Sequence, residues 1–410
     1  MAARVTCPKD FHGSAHLEWY IAPSMTNRMK TLALSLAISA FVLTPGRAQQ
    51  PTVFARGLLN PSKITLGPSG TLLAAEVGGT PNSGRVSIIT GSGTRRTLID
   101  GLPSGLSAPN MDADGVNGLL LNSNVLYLAI GEGDTMRNGA QPGTTIVNPT
   151  GFSSPIFSSV VQFNFPKSVD QIQTGFTLAA ADQSTLADGN VVTLTNSSGD
   201  SATATLLSTF RFRPDPQAIY RNSHPYGLAQ FPSDSGHLYL NDAGLNALVQ
   251  VDTQTGRAQT LTHFANVRNV GTSGPPVAEA VPDMVRTYGN QLLVTLLSGF
   301  PFTPGDSQVV LVDPTTGSIA PFINFQSSVI DIVSRPRSGT RPQFFELEYS
   351  ANLSAATPAP GRILQYDTPA GTVLADGLNG PTSLALDTTA GMLYVASRTD
   401  GTILQISVGQ

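Results

Sequence analysis

Apolar and polar positions alternate along most of this chain in short runs, and Gly, Pro, Asn or Asp interrupts nearly every run, so the pattern predicts strands and tight turns. The runs repeat. Each unit opens with an apolar strand that starts on Pro or Asx: "PSKITL" at 61, "VNGLLL" at 116, "HPYGLAQF" at 224, "VPDMVRTY" at 281, "VIDIVSRP" at 329 and "GPTSLALD" at 380. A short polar turn leads to a second strand: "GTLLAAEVG", "NVLYLAIGEG", "GHLYLNDAG", "NQLLVTLLSG", "PQFFELEYS" and "GMLYVASRT". Third strands follow, among them "GRVSIITGSG", "NALVQVDTQTG", "SQVVLVDPTTG" and "GRILQYDTPAG", and their Gly-containing hairpin turns lead to fourth strands such as "TRRTLIDGL" or "GTVLADGL".

Four strands recurring about every fifty residues predict an all-β, six-bladed β-propeller. A β-sandwich does not require the same quartet six times. The blade at 380–408 lacks a fourth strand, and the phrase "TVFARGL" at 52–58 matches "TVLADGL" at 372–378 with no blade of its own. The N-terminal strand is therefore expected to complete the last blade and hide two open edges. Residues 134–222 interrupt the second blade and are expected as surface loops plus an extra hairpin. The propeller is read as one domain, 49–410, and as a monomer.

One apolar run reads differently. "TLALSLAISAFVL" at 31–43 follows Arg28 and Lys30 and precedes small residues at Gly46 and Ala48, the pattern of a secretory signal peptide over 25–48. No other stretch approaches the ~20 apolar residues of a membrane span. Because this signal starts well inside the chain, residues 1–24 are read as a mis-assigned start, with Met25 or Met29 the better first residue. Cleavage after Ala48 would remove Cys7 and Trp19, the single cysteine and tryptophan, which excludes disulfides and thiol chemistry in the exported form. The net charge of −4 would move to about −7, which argues against nucleic acid as a partner. With 40% hydrophobic and 12% charged residues, the chain has ample material for a large core.

"NSHPYGL" at 222–228 and "LLSGFPFTPGDSQV" at 296–309, with the Gly-Pro-Thr opening of the last blade, resemble the ScyD/ScyE family of bacterial proteins. The resemblance runs over the whole segment after Ala48 and implies a bacterial protein exported to the periplasm or beyond. The family is named from the gene cluster of an extracellular pigment, and its molecular activity is not established. His224 stands where relatives carry asparagine before Pro-Tyr. More distantly the fold is similar to NHL-repeat and gluconolactonase-like propellers, some of which hold a divalent cation in the channel.

In a propeller the entrances of the first strands and the exits of the second strands share one face. This places Asn60, Asn117, His224, Asp283, Asp331 and Thr382, then Glu76, Glu132, Asp242, Ser298, Glu348 and Ser397, around one channel mouth, with Tyr226 and Arg398 beside them. Asn60, Asn117, Tyr226, Ser298 and Arg398 are the candidate ligand-binding residues. Glu76, Asp242, Asp283, Asp331 and Glu348 are candidate ligands for Ca²⁺, which takes six to eight oxygens. Such acids equally serve to accept backbone N–H groups and hold each blade's turns.

His224 is the candidate general base, although neighbouring carboxylates would favour its protonated form. The acidic loop "NMDADGVNG" resembles a fragment of a calcium loop without its distal Glu. Phe300 and Phe302 either wall a ring-shaped ligand or pin a loop. No nucleophile elbow, zinc-protease helix, Walker loop or dinucleotide fingerprint is present. Three readings follow: a module binding a small molecule, peptide or protein at the channel face; a metal-assisted lactonase or esterase; or a structural subunit of an envelope or extracellular assembly.

Overall fold

The alternation read from the sequence is what builds the ring, because successive side chains of a strand point to opposite faces of its sheet. In the second strand of blade one, Leu72 and Ala74 pack toward blade six while Leu73 and Ala75 pack toward blade two. The same division recurs around the molecule, so a separate apolar cluster fills each of the six junctions between neighbouring blades. The computed structural model describes residues 48–140, 145–210, 222–337, 341–368 and 370–409. The start-site reading of 1–24, and all but the last residue of the signal-peptide reading of 25–48, lie outside them.

The blades are antiparallel sheets whose innermost strands are Pro61–Leu66, Val116–Asn122, Pro225–Phe231, Pro282–Tyr288, Val329–Arg335 and Pro381–Asp387. Turn chemistry agrees with the sequence. In "DTQTG" and "DPTTG", Asp252 Oδ1 accepts the N–H groups of Gln254 and Thr255, and Asp313 Oδ1 those of Thr315 and Thr316. A glycine closes each of these turns with positive φ, at Gly256 and Gly317.

The ring closes as expected. Thr52–Arg56 is the outer strand of blade six, antiparallel to Thr402–Ser407, with Thr52 opposite Gln405 and Arg56 opposite Thr402. Ala55 and the following Leu58 are buried in the junction with blade one.

The insertion in blade two is more than surface loops and an extra hairpin. Val192–Thr195 adds a fifth strand to blade two, and Phe176–Thr177 adds a short parallel fifth strand to blade one. Between them a helix, Ala180–Ala187, buries Leu186, and its Gln183 amide donates to the carbonyl of Gly101 at 2.8 Å. Ile172, Phe176, Leu178, Leu186, Val192 and Leu194 belong to the junction cluster of blades one and two. Their apolar side chains gave the insert a core to join, which a reading by strand quartets did not register.

Candidate functional site

At the second-strand exits, three carboxylates of equivalent position do one job. Glu76 Oε2 accepts the N–H of Leu59, Asp242 Oδ1 that of His224 at 2.8 Å, and Glu348 Oε1 that of Ser327 at 2.9 Å. Each pins the approach to its blade's first strand. Their remaining lone pairs are also engaged: Glu76 with Arg85 and Ser87, Asp242 with Ser223 and Leu245, Glu348 with Arg362. Asp331 is held from the side by Arg286 through Nε at 3.1 Å and Nη2 at 2.8 Å, and accepts the N–H of Leu384 at 2.8 Å. All four are fully buried. Of the six carboxylates expected around one mouth, Glu76, Asp242, Asp331 and Glu348 are therefore separate and already engaged. Among the described residues no group of three or more His, Cys, Asp or Glu is arranged to hold a metal ion.

Other expected positions are likewise structural. Asn60 takes a left-handed backbone (φ 52) and its amide ties the strand entrance to the carbonyl of Gly78 at 2.6 Å. Ser298 is buried with φ 66, its N–H bonded to the Ala280 carbonyl. Thr382 donates to the carbonyl of Pro61, linking blade six to blade one, and Ser397 donates to the Asn379 carbonyl.

What meets in the channel is a different set. His224 Nε2 lies 3.2 Å from Asp114 Oδ1, and Asn117 donates its amide to the same carboxylate. Glu132 accepts from Ser107 and, at 3.4 Å, from Asn222. Across the channel the Lys63 ammonium of blade one pairs with Asp283 of blade four. Tyr226 stands between these pairs: its ring is edge-on to His224, 4.9 Å between centroids, and lies 5.6 Å from Lys63 Nζ. Arg398 donates to the carbonyl of Ala113, drawing blade six onto the Asp112–Asp114 ribbon. Asn117, His224, Tyr226, Asp283 and Arg398 are thus brought together, while Asn60 and Ser298 are spent on turns.

The electrostatics follow from this packing. Burial disfavours the charge on His224, but Asp114, Glu132 and Asp242 outweigh it and raise its pKa to about 9. Burial likewise works against the Asp114 carboxylate, and His224 more than offsets it, holding that acid below the usual range. Burial pushes Asp283 up, opposed by Lys63. Burial and the charges of Asp114 and Asp283 raise the Tyr226 phenol, so it stays protonated. At neutral pH His224 is an imidazolium and a donor rather than a base.

Lys63 and Arg286 were missed by the sequence reading. The available signal was a lone cation within each of two innermost strands, "PSKITL" and "VPDMVRTY". Asp114 had been noted only as part of an acidic loop.

These features define a six-bladed β-propeller with a polar, charge-paired channel mouth. No protein-family model matches the chain, and no curated protein matches it. Among solved structures it is similar to a nidogen/laminin complex at 10% identity, covering 83% of this chain and 90% of that one with a TM-score of 0.45. It is also similar to a catalytically inactive virginiamycin B lyase from Staphylococcus aureus with quinupristin at 12% identity, covering 87% and 97% with a TM-score of 0.42. A glucose dehydrogenase shares 14% identity over 88% of this chain and 100% of that one, with a TM-score of 0.44.

Proposed function

We propose that the protein is an exported bacterial propeller of ScyD/ScyE type that binds a small polar molecule at its channel mouth. One observation carries this reading: the Tyr226 hydroxyl makes no hydrogen bond among the described residues, yet its ring is flanked by the His224 imidazolium and the Lys63 ammonium. A phenol, two cationic donors and their carboxylate partners, supplied by four blades, make a rigid set of directional contacts for a ligand bearing hydroxyl or carboxylate groups.

The test is a thermal-melting screen of hydroxy acids, sugars and short peptides against the wild type, Tyr226→Phe and His224→Gln. Ligands of the site should raise the wild-type melting temperature and lose most of that effect in both variants. A screen in which every shift survives the two substitutions would remove the reading.

The calcium-assisted hydrolase draws less support, because Glu76, Asp242, Asp331 and Glu348 already accept hydrogen bonds with both oxygens or anchor turns. Elemental analysis of protein purified without chelator, with melting in the presence and absence of Ca²⁺, decides it: co-purifying metal with a raised melting temperature would restore it.

A further inference from the structure

We propose a second ligand site, apart from the channel, between blades three and four, shaped for an aromatic ring that carries a primary amine. A cavity of about 510 Å³ lies there, lined by Phe264, Val270, Leu296, Val310 and Phe325, with Asp306 in its wall. That volume is in the range of small-molecule sites, roughly 300–1,000 Å³.

Both walls are fixed. The segment after blade three folds into a ribbon in which Val267–Arg268 pairs with Val277–Ala278. Its Asn269 amide donates to the carbonyls of Ser273 and Pro275, and Thr303 from the opposite loop donates to Asn269 Oδ1 at 2.9 Å. Asp306 Oδ1 accepts the N–H of Val270 at 2.8 Å. The cavity is therefore present before any ligand arrives.

Two features point to a ligand. Phe325 is 79% exposed and has a φ of 62. It sits where the ladder jumps from Ser307 opposite Gln326 to Val309 opposite Ile323, leaving Asn324 and Phe325 outside the pairing. A bulge that holds an aromatic ring in water, in a left-handed backbone that costs on the order of 1–2 kcal/mol, serves nothing in the packing of blade four. Val270, 52% exposed, continues this apolar rim. The second feature is Asp306 itself, buried, whose Oδ2 has no hydrogen-bond partner among the described residues. A ring for Phe325 and Val270 with an ammonium for Asp306 satisfies both, since an N–H donor bearing charge is the strongest partner a carboxylate can find.

Saturation-transfer NMR with 2-phenylethylamine, and with its N,N,N-trimethyl analogue that keeps ring and charge but has no N–H, tests this directly. The amine should bind saturably, with affinity about tenfold above that of the trimethyl analogue and about tenfold above that for Phe325→Ala. Phe325 is exposed, so its variant should melt like the wild type. Asp306→Asn keeps an oxygen for Val270 and should lose the preference for the primary amine. Absence of saturable binding, or equal binding by the wild type and Phe325→Ala, overturns the proposal, as does equal affinity for the two ligands.

Discussion

His224 of blade three and Asp114 of the loop leading into blade two form a charge pair in the channel, Nε2 to Oδ1 at 3.2 Å, with the histidine side chain only 20% exposed. The pair locks two neighbouring blades together at the mouth and depends on the ring being protonated.

That dependence sets a pH signature. Folding raises the His224 pKa from 6.5 to about 9, so the folded state holds the proton more tightly than the unfolded chain. Its stabilisation is complete below pH 6.5 and is lost as pH rises through 9, amounting to at most about 3 kcal/mol. Urea unfolding of the wild type and His224→Gln across pH 6–10 checks it. The wild type should lose stability over this interval, and the variant should show a flatter profile.

Glu346 acts over a lower window. Burial, reinforced by the charge of Glu348 and opposed by Tyr366 and Arg362, raises its pKa from 4.5 to about 8, and among the described residues neither oxygen has a partner in full hydrogen-bond geometry. Below pH 4.5 the acid is protonated folded or unfolded. As pH rises toward 8 only the unfolded chain gains by ionising, and stability falls. Glu346→Gln should raise stability at pH 8 by about 1–3 kcal/mol and remove that slope. A variant less stable than the wild type at pH 8 would contradict the assignment of a neutral buried acid.

Lys63 and Asp283 span the channel from blade one to blade four, with Lys63 almost fully buried. Asp283→Asn strands an ammonium in that setting and should cost about 3–5 kcal/mol. The double variant Lys63→Met, Asp283→Asn removes both charges and should recover most of the loss. Denaturation of the two single variants and the double variant provides the cycle, and additive losses would mean that the two groups do not interact.

Ring closure is the fourth expectation. Deleting residues 49–59 uncovers the edge of Thr402–Ser407 and removes the buried Ala55 and Leu58. The shortened protein should aggregate or melt at least about 10 °C lower, since an open strand edge invites pairing with other chains. Unchanged melting would show that the outer strand is dispensable.

The blade count and the closure were legible because both rest on local repetition: alternating residues, Asp-led turns such as "DTQTG", and one phrase found at both ends. The channel mouth was legible only in outline. His224, Asn117 and Tyr226, singled out from strand position, lie near one another in the structure, because strand position depends on where a blade begins. Whether an acid is free or saturated depends on donors brought from elsewhere, as with Glu348 and Arg362, or Asp331 with Arg286 and Leu384. No spacing encodes those partners. The segment around Phe300 and Phe302 was read as walling a ring-shaped ligand or pinning a loop, and it is Asp306, a few residues on, and Phe325 from the next strand that line a cavity.

Thr52 pairs with Gln405, joining the first strand of the domain to the last. During synthesis the earliest strand thus waits for the latest. A partly made chain can stack its blades in order, but no nascent chain can complete the circle until Thr402–Ser407 has been made. The ring carries a check on its own completeness, because a chain that stops before Thr402 leaves the edge of Thr52–Arg56 unpaired.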